Sequence, residues 1–127
     1  MSTPAYKRLS IALSVAVAVL LIAACMFFWD AAMLHAHVAF ACEQTKIFDD
    51  SRKQALSADA ASAALILEDV VHYYPSGTKQ VTGSLLDQMV ERERTNAFHE
   101  IIAHLRAKTG QDLGDDPEKW IQKYKVR

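Results

Sequence analysis

Residues 9–29, LSIALSVAVAVLLIAACMFFW, carry no charged side chain, and no other feature of the chain constrains its fold as strongly. As a helix this run is roughly 31 Å long at about 1.5 Å per residue, which matches the hydrocarbon thickness of a bilayer. A secretory signal that is cut away has an apolar stretch of roughly 7 to 15 residues followed by a small-x-small site. Here the stretch is longer, and the nearest such triplet, Ala39-Phe40-Ala41, comes too late in the chain. The run is therefore expected to stay as a transmembrane helix, with Trp29 anchoring it at the interface.

Ile22-Ala23-Ala24-Cys25 offers a competing reading. It looks like the lipobox of bacterial lipoproteins, in which the cysteine is acylated and becomes the new N-terminus. Lys7, Arg8 and the apolar stretch fit that pattern, whereas Met26-Phe27-Phe28-Trp29 does not, because lipoproteins continue with polar, flexible residues. Cys25 is read as a small apolar residue inside the span; a lipoprotein anchored at Cys25 is the alternative. Lys7 and Arg8 precede the span and only Lys46 lies within residues 30–49, so the positive-inside rule places the N-terminus in the cytoplasm and the rest outside.

Composition bounds the remainder. Residues 30–127 hold 12 Lys or Arg against 15 Asp or Glu, a net charge of −3, which argues against nucleic acid as a partner. Three prolines and four glycines, with abundant Ala, Leu, Glu, Gln and Lys, predict an all-α chain. The expected order is a cytoplasmic stub at 1–8, the span at 9–29, a helical stalk at 30–55 and a small helical module at 56–127.

In the stalk, Met33, Leu34, Val38, Ala41, Cys42 and Phe48 recur every three or four residues without Gly or Pro, so the membrane helix is expected to continue through it. That stripe suits pairing with another helix. Ser57 is expected to cap the next helix, in which Leu67, Val70, Val71 and Tyr74 keep helical spacing until Pro75-Ser76-Gly77 stops it. Ser84 is expected to cap a second long helix, with Asp87 three residues on as a shortened capping box. Its apolar stripe is Leu86, Met89, Val90, Ala97, Ile101 and Leu105, widened by Phe98 and Ile102, and Gly110 is the expected left-handed cap. Asp116 and Pro117 then read as the cap and first residue of a short helix with Trp120, Ile121 and Tyr124 on one side. The two longer helices should lie antiparallel, with the short one closing the open end of their seam.

The run YYPSGTKQVTGSLLDQMVERERTNAFHEIIAHLRAKTGQDLGDDPEKWIQKY, residues 73–124, resembles the C-terminal part of a group of small, membrane-anchored, uncharacterised bacterial proteins. Residues 109–120, TGQDLGDDPEKW, also look like the phrase that closes a helix pair in some bacterial HEAT-like repeat proteins. The repeat does not recur, and a solenoid needs several stacked units. These resemblances imply an interaction role and a bacterial inner-membrane location, and supply no catalytic residue.

Four constellations bear on chemistry. His99 and His104 are five apart and diverge by about 140° on a helix, so they lack the four-residue spacing of zinc proteases; Glu100 to His104 is an ordinary i, i+4 pair. His35 and His37, just beyond the span with Asp30 nearby, are candidates for contact with haem, copper or a quinone headgroup, although neighbours two apart point in nearly opposite directions on a helix. Asp112, Asp115, Asp116 and Glu118 lack the alternating spacing of a calcium loop, and helix capping accounts for the last two. Cys25 and Cys42 lie roughly 25 Å apart along a helix, too far to bridge, which leaves Cys42 available to link two copies. No phosphate loop or nucleophile with a placed base is present, so neither an enzyme nor a resident cofactor is expected.

The sequence thus predicts a single-pass, membrane-anchored interaction or assembly module, with the lipid bilayer and a protein partner or second copy as its contacts. Trp29, Cys42, Trp120 and Tyr124 are the anchor and interaction candidates. A small redox or cofactor-binding membrane subunit using His35 and His37 is the alternative.

Overall fold

A computed structural model describes residues 3–73 and 79–125. The chain is all-α: the described residues form four helices and no strand, namely α1 (Thr3–Ser57), α2 (Ala60–His72), α3 (Leu85–Thr109) and α4 (Pro117–Tyr124). It divides into two compact units, Met1–Ala36 and His37–Arg127.

In the first unit, the described side chains between Leu9 and Trp29 are all exposed. By length and composition, α1 is long and apolar enough to cross a membrane in this N-terminal part.

The second unit has a core to which every helix contributes. Ala41, Gln44, Phe48 and Ala55 of α1 are buried at spacings of three, four and seven, one face of a helix. They meet Leu67 and Val70 of α2, Ile101 and Leu105 of α3, and Trp120 of α4. Of the segment expected to be a stalk at 30–55 outside a module at 56–127, the part from His37 on therefore belongs to the same unit as the module and supplies core residues, while residues 30–36 belong to the first unit. Of the stripe expected there, Ala41 and Phe48 pack against other helices of the same chain, whereas Met33, Leu34, Val38 and Cys42 are exposed.

Hydrogen bonds fix the directions of the helices. His37 Nδ1 donates to the Lys79 carbonyl oxygen (3.2 Å), Arg52 Nη1 to both carboxylate oxygens of Glu100 (3.1 and 3.2 Å), and Lys108 Nζ to the Ala58 carbonyl oxygen (2.7 Å). Beyond His37, α1 thus runs parallel to α3. Arg94 Nη1 donates to the Val71 carbonyl oxygen (2.9 Å), while the α3 C-terminus meets Ala58, so α2 and α3 are antiparallel as expected. Helix α4 packs against both α2 and α3 and lies along the second half of α2: His72 Nε2 is 3.0 Å from Glu118 Oε1, and Lys125 Nζ is 2.7 Å from Glu68 Oε1.

The helix ends follow their capping chemistry with one change. Ser57 is the last residue of α1, and Asp59 caps α2, accepting from Ser62 N at 2.8 Å. The Ser57 hydroxyl instead donates back to the Gln54 carbonyl oxygen, as serine does at a helix end. Ser84 caps α3, accepting from Asp87 N. Since Ser84 N already donates to the Val81 carbonyl oxygen, the Asp87 carboxylate takes the Gly83 N–H (2.9 Å). Gly110 ends α3 at φ +68°, and Asp116 with Pro117 starts α4. Helix α2 ends at His72; the expected stop at Pro75-Ser76-Gly77 and the apolar position Tyr74 lie outside the described residues.

On α3, Val90, Ala97, Ile101, Ile102 and Leu105 are buried, and Leu86 and Phe98 pack partly against the core. Met89, expected in the same stripe, is exposed because Asp87 and Val90 hold the inward positions of the first turns.

Candidate interaction surface

Between α1 and α2 the second unit carries a groove of about 300 Å³ lined by Ile47, Phe48, Ser51, Asp69, Val70 and Tyr73. Phe48 and Val70, almost fully buried, make its apolar floor, while Asp69 and Tyr73 stand exposed at the rim. The groove exists because α1 turns Ile47 and Ser51, one turn apart, toward the last turn of α2. An apolar floor with polar groups at the edge suits a side chain from another protein.

The histidines do not form a metal centre: among the described residues no group of three His, Cys, Asp or Glu is placed to hold an ion. His35 is exposed in the first unit, and His37, half-buried in the second, is engaged by Lys79. His104 Nε2 points to the Ala58 carbonyl oxygen at 3.4 Å, the His99 ring lies tilted at 45° to that of Phe98 with centroids 4.4 Å apart, and Glu100 is taken by Arg52 instead of His104.

The acidic cluster also has partners within the chain. Arg106 Nε and Nη2 reach Asp112 (2.9 Å) and Asp115 (3.1 Å), Asp116 caps α4, and Glu118 meets His72. The Gly114 backbone N–H and the Arg106 guanidinium hold the Asp112 carboxyl below its ordinary range.

Of the anchor and interaction candidates, Trp29 and Cys42 are exposed. Trp120 is completely buried, its indole Nε1 donating to the Gly114 carbonyl oxygen at 2.8 Å, so it is a core residue and offers no surface. Tyr124 is half-buried, stacked on Trp120, and its hydroxyl donates to Gln111 Oε1 (2.9 Å). The sequence reading passed over Ser51 and Asp69. Their spacing carries no motif, and their proximity arises only when α1 and α2 pack.

No family model, curated protein or solved structure matches this chain.

Proposed function

We propose that this chain is a single-pass protein of the bacterial inner membrane, its N-terminus cytoplasmic and its helical module outside, that serves protein interaction or assembly. The observation that carries the reading is that all the large apolar side chains along residues 9–29 are exposed. An uncovered apolar surface of that extent is stable only against lipid or another apolar surface. The groove between α1 and α2 is the surface offered to the partner, with Asp69 at its rim favouring a basic side chain there.

Chemical cross-linking in intact membranes, followed by mass spectrometry, tests the reading. A stable partner or a dimer should be recovered, with cross-links at Lys46 or Lys53, exposed on α1. Protease added to spheroplasts should remove the module. Consistent recovery of monomers, or a module protected from external protease, would overturn the assignment.

A further inference from the structure

The segment joining α2 to α3 returns to the point where the chain enters the second unit. His37 Nδ1 donates to the Lys79 carbonyl oxygen (3.2 Å), and Gln80 Nε2 donates to the His37 carbonyl oxygen (2.9 Å). Lys79 Nζ sits 5.4 Å from the centre of the Phe40 ring, and Ser84 N closes a turn on the Val81 carbonyl oxygen (2.9 Å). Large apolar side chains are left in solvent at this end: Val38 and Phe40 of α1, Val81 of the turn at 67% exposure, Leu85 at 74%, and Met89 one turn further along α3. The Asp87 carboxylate is buried against Gly83 N, so the exposed side chains around the turn are the apolar Val81, Leu85 and Met89 with the uncharged Thr82 and Gln88, and Lys79 lies beside them. Among the other described residues of the unit, the exposed large apolar ones, Leu56, Leu65 and Tyr73, lie well separated in sequence on three different turns, an ordinary surface pattern.

Chain connectivity limits how far this end lies from the apolar run. His37 follows Trp29 by eight residues. Whatever angle the two units adopt, eight residues reach at most roughly 29 Å when fully extended and about 12 Å as a helix. A turn bonded to His37 is therefore tethered within that distance of Trp29, the last residue of the apolar run. We infer that Val81, Leu85 and Met89, with Phe40 and Lys79, form a lipid-facing patch that rests in the headgroup region of the bilayer. Exposed apolar side chains flanked by a lysine are the chemistry that such an interface accepts. The inference rests on the membrane anchoring proposed above and adds a second contact with the same bilayer.

The test uses the full chain with Cys25→Ser and Cys42→Ser, reconstituted into phosphatidylcholine–phosphatidylglycerol nanodiscs. Single cysteines replace Leu20, Val81, Leu85 or Ala107, the last being exposed in the final turn of α3, and each carries an environment-sensitive fluorophore. Spin-labelled lipid should quench the label at Leu20→Cys, Val81→Cys and Leu85→Cys and leave Ala107→Cys bright. Quenching at Leu20→Cys without any at Val81→Cys or Leu85→Cys overturns the patch and leaves the anchor standing. Absence of quenching at Leu20→Cys overturns the anchor itself. Labels at Val81→Cys and Leu85→Cys that resist both lipid quencher and aqueous iodide would mean that a second copy or another protein covers this end, which also overturns the inference.

Discussion

Single residues hold the second unit through a few well-defined commitments. Gly110 sits at φ +68° with open space around the position of an added Cβ, so Gly110→Ala meets only the backbone penalty of the left-handed conformation. That substitution should lower stability by about 1–2 kcal/mol, read from urea unfolding of the folded chain. Trp120 combines full burial with an indole hydrogen bond to Gly114, and Trp120→Ala should cost about 3–5 kcal/mol, read from the same curves. Asp112 gives a dependence on acid. Its carboxyl is held below its ordinary value by the Gly114 N–H and the Arg106 guanidinium, so its contribution is present above the unfolded-state value near about 3.9 and is lost as pH falls through the lower, folded one. Asp112→Asn should therefore be less stable than the natural chain at pH 6, and the two unfolding midpoints should converge as the solution is taken below pH 4.

At the scale of elements, the outcome turns on α1. Phe48 is buried at 1% exposure among residues from the other helices. Phe48→Ala should destabilise the second unit by about 3–5 kcal/mol, whereas a stalk residue would have tolerated the change. Unfolding monitored by circular dichroism separates the two outcomes. The sequence disclosed the helices and most of their ends, because Ser84, Gly110, Asp116 and Pro117 act through contacts within a few residues of themselves. It was less clear about which helix meets which. Ala41, Gln44, Phe48 and Ala55 show helical spacing in the sequence, but spacing alone does not tell whether a stripe faces another protein or its own chain. Ser57 and Asp59 are both competent caps only two residues apart, and the turn that reverses the chain decided in favour of Asp59. Trp120 shares one side of α4 with Ile121 and Tyr124, and that spacing alone does not tell whether the side meets a partner or the core; the acceptor of its indole N–H, the Gly114 carbonyl, belongs to a residue with no side chain to advertise it.

For the whole molecule, the boundary at His37 makes a prediction about fragments. A chain beginning at His37 retains every core position of the second unit and should fold into a cooperative, water-soluble helical protein. One beginning at residue 56 loses Ala41, Phe48 and Ala55 from the core and should be unfolded or aggregated. Size-exclusion chromatography and thermal unfolding of the two fragments check this. The groove between α1 and α2 was not legible in the sequence for the same reason, since its floor joins residues more than twenty positions apart.

Because one helix supplies both the apolar rod and a wall of the folded unit, release and collapse become linked for any cut made beyond Ala41. A protease that severs the chain there frees a fragment stripped of part of its own interior. Release of the second unit intact therefore requires a cut before His37, its first residue.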